Sequence, residues 1–437
     1  MKMLYKSIQK YLLSFGFLFF GATSALIAQE LNSGDNAWLM TSTALVLFMT
    51  LPGLAAFYSG LVSQRNVLSV LMHCFVICCV VTVMWVLFGY GMTFGETIGG
   101  YMGSIGPAFL ASVSLDSMAG TYPETTFIMF QLTFAIITPA LIVGAFVERV
   151  AFKGLILFVI GWMILVYFPV AHWVWGGGWL GDIGYRDFAG GAVVHATAGV
   201  AAIVFARYLG PRKGFPRTPM PPHNLPLTVL GAGMLWVGWF GFNGGSALAS
   251  DGAASMAILV THISASVAAL TWIGIEWLKF GKPSVLGLVT GMVAGLATIT
   301  PASGFVGPLG GFMIGIIGGA GCFYATQIVK RRFEIDDSLD VFPVHGIGGI
   351  LGLLFTSVFS SEQFGGLGLD EGVSILDQLH IQLLGTVSVI VWTLIISYVL
   401  IKLIDQLVGI RVSEQDEIDG LDITTHDERG YNLDNLR

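Results

Sequence analysis

Residues 187–199 read DFAGGAVVHATAG, and residues 340–349 read DVFPVHGIGG. Each stretch begins with an aspartate, places a single histidine in an apolar sequence and has a glycine four residues after that histidine. Both belong to apolar runs of about 20 residues, which is the length of an α-helix that crosses a membrane. Because an ionisable side chain at membrane depth is costly, it is by default a functional candidate. The two stretches therefore predict a repeated membrane fold that carries a pair of functional histidines.

The composition of the whole chain agrees with a membrane protein. Hydrophobic residues make up 55% of it and charged residues 11%, with a mean hydropathy of +0.79, whereas a soluble domain carries roughly 25% charged residues. The 58 glycines belong to the residue types that let membrane helices approach closely. We therefore expect an all-α polytopic membrane protein with tightly packed helices.

After an N-terminal leader, apolar runs long enough to span a membrane occur eleven times. They lie near residues 38–62, 68–92, 125–148, 154–174, 188–208, 226–243, 255–278, 284–300, 305–329, 343–360 and 379–408. The connections alternate in charge: five of them together hold twelve Lys and Arg residues, and the other five hold only Arg186. Since Lys and Arg accumulate on the cytoplasmic side, we expect an inner-membrane protein with its mature N-terminus outside and its C-terminus inside.

The two ends of the chain are expected to lie outside the membrane bundle. Three lysines within the first ten residues precede an apolar run that ends at Ile27, which is the layout of a secretory signal peptide. Residues 1–28 are therefore predicted to be a cleaved signal peptide, with an uncleaved first helix as the alternative. Residues 409–437 are polar and are expected to form a cytoplasmic tail, with disorder as the alternative.

Five helices are an odd number, so two successive five-helix units must point in opposite directions. Weak internal similarity supports such units at residues 38–208 and 226–360, because residues 53–60 read GLAAFYSG and residues 238–245 read GWFGFNGG. Transporters with inverted repeats place their pathway at the interface between the repeats. The eleventh span has no counterpart and is expected to brace the outside of the bundle.

The inverted repeat brings the two histidines towards the middle of the membrane. His195 lies about two turns into the fifth span from the outside, and His345 lies about as far into the tenth span from the inside. Asp187 opens the first of these spans, and Asp340 enters the second. Two imidazoles without a nearby carboxylate or thiolate fall short of the ligands that zinc needs. A neutral pair can instead donate and accept hydrogen bonds with a small polar solute.

A group of aromatic side chains is expected at the outer end of the pathway. Trp175 precedes three glycines at the end of the fourth span, where a tryptophan of the membrane interface is the alternative. Phe134 in the third span, Phe242 in the sixth and Ser246 close behind it would suit a small cation, through ring faces and one hydrogen bond. Asp187 is expected to cap the fifth helix, and its charge would also favour a cation.

In these stretches the chain resembles the Amt branch of the Amt/Mep/Rh family of ammonium transporters. The resemblance rests on residues 187–199, on Trp175 before its three glycines, on residues 238–246 and on residues 340–346, which follow the family's order along the chain. It implies a homotrimer with one pathway through each subunit. Ammonium and methylammonium are the implied substrates.

The resemblance also implies roles for the residues at the outer end. Trp175, Phe134 and Ser246 correspond to a site that recruits ammonium from outside. Phe134 and Phe242 correspond to a gate of stacked phenyl rings, and Gln131 falls where the family has a conduction-linked glutamine beside that gate.

His195 and His345 correspond to the family's twin histidines, which line the pore. Past the gate an apolar bore disfavours net charge, so ammonium is expected to give up its proton and to pass the imidazoles as ammonia. Potassium has no proton to lose, which would explain selectivity without a size filter. The proton could follow separately along the histidine pair.

The polar tail resembles the family's cytoplasmic regulatory tail through residues 420–422 and His426. The family's histidine is usually followed by glycine, whereas Asp427 stands there in this chain and puts the local turn in doubt. The implied partner at the cytoplasmic face is a PII-type signalling protein.

Two other classes of function remain open. An ammonium sensor, or transceptor, would be favoured by a long C-terminal signalling domain, but this tail is short. A proton-coupled symporter of small solutes would want a carboxylate near mid-membrane, and the predicted spans have none there. No nucleophile, metal set or nucleotide loop indicates an enzyme. We expect no cofactor, no metal and no nucleic-acid partner, with membrane lipid around the bundle.

Overall fold

The computed structural model describes residues 30–431, so the signal peptide predicted at residues 1–28 lies outside the described residues. Within the described part, ten helices are long and apolar enough to cross a membrane, and a shorter apolar helix lies between the seventh and the eighth of them. In chain order the eleven are α1 Ser33–Leu61, α2 Val67–Phe94, α3 Glu124–Phe146, α4 Phe152–Asp182, α5 Gly191–Leu209, α6 Leu225–Gly244, α7 Gly252–Phe280, α8 Val285–Ile299, α9 Pro308–Arg332, α10 Phe342–Phe359 and α11 Ile375–Val408.

Each of these helices coincides with one predicted span, so the all-α polytopic architecture is confirmed. Helix α3 is the most enclosed, with 89% of its apolar stretch buried, whereas α11 has 28% buried and lies at the periphery. Helix α8 is about 22 Å long at 1.5 Å per residue, less than the hydrocarbon core of about 30 Å. It is packed among α7, α9 and α10, and residues 291–299 of its second half are all buried in protein, whereas Val285 at its start is exposed.

Short elements complete the described chain. Between α2 and α3, β1 Thr97–Ile98 pairs antiparallel with β2 Met102–Gly103, and β3 Met118–Ala119 pairs antiparallel with β4 Tyr122–Pro123. Single helical turns cover Ala108–Leu110 and Glu362–Phe364, and the tail contains α12 Glu414–Asp419 and α13 Leu421–His426.

The fifth and tenth helices begin in the same way. Each opens with a widened π-type turn, at Gly191–Ala196 in α5 and at Phe342–Ile347 in α10. The carboxylate of Asp187 accepts four backbone N–H groups at the start of α5, and that of Asp337 accepts the N–H groups of Val341 and Phe342. Backbone donors at a helix start have no partner within the helix, and in each repeat a carboxylate supplies one.

The second carboxylate is not the aspartate that the sequence comparison placed at the start of α10. Asp337 lies eight residues before His345, as Asp187 lies eight residues before His195. Asp340 instead corresponds to Gly190: both are left-handed, with φ of 60° and 112°, and both stand five residues before the histidine. The Asp340 carboxylate accepts from Lys330 Nζ at 2.8 Å.

A largely buried ionic cluster joins the ends of α3, α5 and α9. Arg212 donates to Asp336 and to Glu148 at 2.9 Å each, and the fully buried Arg149 donates to the Asp336 carbonyl at 2.6 Å. Burial by itself raises the pKa of both carboxyls, but Arg212 outweighs it and holds each pKa below its usual value. Burial lowers the pKa of Arg149 to about 10. All four groups are therefore charged at neutral pH.

The tail packs against the same end of the bundle. Asp422 accepts the N–H groups of Leu68 at 3.1 Å and Ser69 at 2.7 Å, so it caps α2 from a distant part of the chain. Asp427 adopts a left-handed conformation, with φ of 55°, directly after α13. Aspartate tolerates this conformation better than most residues, so the turn that glycine would make is kept.

Removing the central charge of the ionic cluster is expected to destabilise the fold. In Asp336→Asn the buried guanidinium groups of Arg149 and Arg212 lose a carboxylate partner, and breaking a buried ion pair costs about 3 kcal/mol. The midpoint of thermal unfolding in detergent should fall clearly. Glu414→Gln is the control, because Glu414 pairs with Lys213 at the exposed surface, where ion pairs contribute little. Equal midpoints for the two variants would contradict this account.

Candidate functional site

The two histidines meet at the contact between α5 and α10. Their Nδ1 atoms are 3.2 Å apart, and their ring centroids are separated by 5.2 Å with an angle of 22° between the ring planes. Both side chains are buried. If both rings are neutral, one Nδ1 must donate and the other must accept. One Nε2 then carries a proton and the other offers a lone pair, whichever ring donates.

Nothing among the described residues binds the Nε2 atom of His195, although this atom is buried. A buried polar atom without a partner is costly, and such atoms call for an explanation. The unpaired nitrogen is therefore available to a small solute. A solute that passes the pair meets one donor and one acceptor.

Glycines explain why α5 and α10 can approach each other so closely. A Cβ atom on Gly199 would overlap the backbone of Gly346, and one on Gly349 would lie 2.6 Å from the carbonyl oxygen of Gly191 and 2.9 Å from Cβ of His195. The glycine that follows each histidine by four residues thus faces the other helix of the pair α5 and α10. Only a residue without a side chain fits either position.

Aromatic rings continue the stack away from the histidines. The ring of His195 lies over Phe242 at 6.0 Å, Phe242 contacts Phe134 at 4.3 Å, and Phe134 meets Trp175 edge-on at 5.9 Å, all between centroids. The structure therefore brings the predicted aromatic residues and the histidine pair into one column. Phe134 and Phe242 are buried, whereas Trp175 at the end of the column is partly exposed.

Trp239 also belongs to this column, although the sequence predicted no role for it. Its ring stacks on His195 at 5.5 Å and 23°, and its Nε1 donates to Thr300 Oγ1 at 2.9 Å. Trp239 precedes Phe242 by three residues, so both rings lie on one face of α6. This spacing was the available signal.

The polar residues near Trp175 are held by backbone hydrogen bonds. Trp175 Nε1 donates to the Asp187 carbonyl at 2.9 Å, and Ser246 Oγ donates to the Phe242 carbonyl at 2.8 Å. Ser246 thereby keeps its oxygen lone pairs for another donor. Gln131 is buried one turn before Phe134 on α3.

The carboxylate of Asp187 does not have free lone pairs of this kind. Its Oδ1 accepts from Gly190 and Gly191, and its Oδ2 accepts from Ala192 and Val193, at 2.6 to 3.2 Å. The side chain is buried. Asp187 can therefore act on a cation through its electrostatic field, and it acts on the backbone of α5 directly.

On the other side of the histidines a cavity of 260 Å³ reaches His345 from the end of the bundle that carries Lys330. Its wall includes the polar side chains of Glu276, Ser284, Gln327 and Asp340. The two ends of the site thus differ: one is a column of packed rings, and the other is a polar cavity.

Comparison with known proteins gives consistent matches over most of the chain. Residues 37–431 match the model of the Ammonium Transporter Family. An ammonium transporter of Aquifex aeolicus is 45% identical over 92% of this chain and 95% of its own length, and one of Bacillus subtilis is 44% identical over 92% and 99%. A solved structure named Sensor Amt Protein superposes with a TM-score of 0.84 at 29% identity, covering 90% of this chain and 98% of that one.

The glycine contact between α5 and α10 can be tested by adding one methyl group. In Gly199→Ala the new Cβ meets the backbone of Gly346, which cannot rotate away. We expect a loss of about 2 kcal/mol from overpacking, measured as a lower midpoint of thermal unfolding. Gly233→Ala is the matched control, since nothing in the described part of the chain lies within 4 Å of its added Cβ. Unchanged unfolding of Gly199→Ala would contradict the close contact.

Proposed function

Because the chain belongs to the ammonium transporter family, we propose that it recruits ammonium, removes its proton and conducts ammonia between His195 and the polar cavity at His345. The observation that carries this proposal is the contact between the two imidazoles, with a buried Nε2 of His195 left unpaired among the described residues. Ammonia is both a donor and an acceptor of hydrogen bonds. The imidazole pair offers the complement of both.

Recruitment takes place at the partly exposed end of the aromatic column. Ammonium is attracted to the rings of Trp175 and Phe134 by their quadrupoles. Ser246 accepts one of its N–H groups, because the Ser246 proton is already given to the Phe242 carbonyl. The charge of Asp187 contributes at a distance, since its oxygens are occupied by backbone donors.

The rings of Phe134 and Phe242 form the gate. Their centroids are 4.3 Å apart, which leaves no space for a molecule between them. At least one ring must turn for each passage, and buried Gln131 lies next to Phe134 on the helix that would move it.

Selectivity arises where the path becomes too apolar for a charge. Past the gate the wall consists of Phe242, Trp239 and the two imidazoles, so a cation there would lose most of its hydration without a carboxylate to replace it. Ammonium avoids this cost by giving up its proton, which is transferred separately along the His195–His345 pair. Potassium has no such route. Ammonia then reaches the polar cavity, where it takes up a proton again.

Family membership also supports proposals about assembly and location. We infer a homotrimer in the bacterial inner membrane, with the Trp175 end outside and the tail inside. The Lys- and Arg-rich connections lie at the end where Asp422 caps α2, in agreement with the cytoplasmic excess of basic residues. A PII-type protein is the proposed partner of this face.

Ammonium sensing is a second candidate role beside transport. The ordered tail, which is held to α2 by Asp422, gives the chain a physical link between its cytoplasmic face and the bundle. The likeness to a structure named Sensor Amt Protein favours the same possibility.

The transport proposal is tested by reconstituting the purified protein in liposomes and recording internal pH after rapid mixing. An ammonium gradient should produce a change faster than in protein-free liposomes, because the protein adds a pathway for ammonia. An equal potassium gradient should produce none. A response to ammonium that is no faster than that of empty liposomes would overturn the proposal.

Replacing either histidine should impair both transport and selectivity. In His195→Ala or His345→Ala a passing molecule loses one hydrogen bond, worth up to about tenfold in rate. Ammonium-evoked current across a reconstituted membrane should fall by at least that factor, because the proton also loses its route along the pair, and potassium should begin to compete. His380→Ala is the control, because His380 is exposed at the start of α11. Wild-type current and selectivity in both pore variants would refute the role of the pair in proton and ammonia passage.

A further inference from the structure

The inner face of the peripheral helix α11 carries two buried amide side chains. Gln378 is 1% exposed and Gln382 is 0% exposed, at a depth where an unpaired amide would be costly. From the sequence, this helix was expected only to brace the bundle. Its two buried amides bind the segment that leads into Asp187.

Three consecutive residues of that segment are each held by a side chain of α11. Gln378 Nε2 donates to the Gly184 carbonyl at 3.0 Å, and the hydroxyls of Tyr185 and Thr386 are 2.9 Å apart. Gln382 binds the third residue, Arg186, twice: its Oε1 accepts from the backbone N–H at 2.8 Å, and its Nε2 donates to the carbonyl at 2.8 Å.

The amide of Gln382 also reaches the other repeat. Its Nε2 donates to the carbonyl of Leu353 at 3.0 Å, and Leu353 lies about two turns after His345 on α10. Gln378 Nε2 donates to Gln382 Oε1 at 3.2 Å and so fixes the orientation of the amide. Every donor and acceptor of Gln382 is used, and together they join the start of α5 to α10.

Residue 187, which follows the clamped segment, is central to the site. Its carbonyl accepts the indole N–H of Trp175, and its carboxylate holds the first turn of the helix that carries His195. A shift of Arg186 would therefore move both the ring at the mouth and the turn at the histidine.

We propose that Gln382 is a positioning residue for conduction. Its side-chain amide sets the register between the start of α5 and α10, and thereby the placement of Trp175 and of the two histidines. This inference rests on the proposed transport function. It gives the eleventh helix, which lies outside the repeats, a direct part in pore geometry.

The variant Gln382→Glu keeps the size of the side chain and replaces its two N–H donors. The carbonyl oxygens of Arg186 and Leu353 would then face a carboxyl group. Ser397→Ala is the matched control on the same helix. Ser397 is buried and accepts from Trp162 Nε1 of α4 at 3.1 Å, so its removal costs a buried hydrogen bond without touching the segment before Asp187.

The measurement is the concentration dependence of methylammonium uptake into proteoliposomes, with potassium as competitor. For Gln382→Glu we expect KM to rise by about fivefold, the factor that corresponds to one lost hydrogen bond of typical strength. The maximal rate should change less, and potassium should inhibit more strongly than in the wild type. Ser397→Ala should keep the wild-type KM and selectivity even where its thermal stability falls.

The outcomes separate this inference from the transport proposal. If the wild type takes up no methylammonium, the proposed function fails. If the wild type transports and Gln382→Glu shows the KM and selectivity of Ser397→Ala, the positioning role fails. Should Gln382→Glu not fold, Gln378→Leu removes the bond to Gly184 and the bond that orients Gln382. A several-fold rise in KM for that variant would support the inference, and a wild-type KM would overturn it.

Discussion

The structure depends on how the backbone donors at the starts of α5 and α10 are satisfied within the protein. The first N–H groups of α5 and α10 have no acceptor within the helix and no lipid can supply one. Asp187 and Asp337 satisfy them with buried carboxylates. Once the first N–H groups of both helices have acceptors, α5 and α10 enter from opposite sides and meet at glycines. This meeting is what brings the imidazoles to 3.2 Å.

The same arrangement separates charge from the path. The carboxylates are used by backbone donors, and the arginines Arg149 and Arg212 are held in the ionic cluster near the tail. The stretch between Phe134 and His345 contains aromatic rings and two buried imidazoles. A path of this kind is hostile to a permanent cation and acceptable to a small molecule with hydrogen-bonding groups. In this account, selectivity follows from the energetics of charge in an apolar bore.

Much of the fold could be predicted from the sequence, because membrane spans leave a strong record in composition and in the placement of Lys and Arg. The sequence predicted the eleven helices and the peripheral position of α11 in this way. The glycine after each histidine was found from the similarity of the two histidine stretches. Asp337 was missed as the counterpart of Asp187, because the similarity of the neighbouring residues favoured Asp340. The spacing to the histidine pointed to Asp337 instead. Trp239 was missed although its spacing from Phe242 places both rings on one face of α6. Gln382 could not be assigned, because its role comes from contacts between distant parts of the chain that no local pattern records.

In this account, ammonium must give up a proton to cross the apolar bore past the aromatic gate. Uptake of rubidium and of ammonium into the same proteoliposomes tests it most directly, because the two cations are similar in size and only ammonium has a proton to lose. The account predicts protein-dependent flux of ammonium with rubidium at the level of protein-free liposomes. Protein-dependent rubidium flux of similar magnitude would show that an intact cation crosses the bore, and would contradict the account.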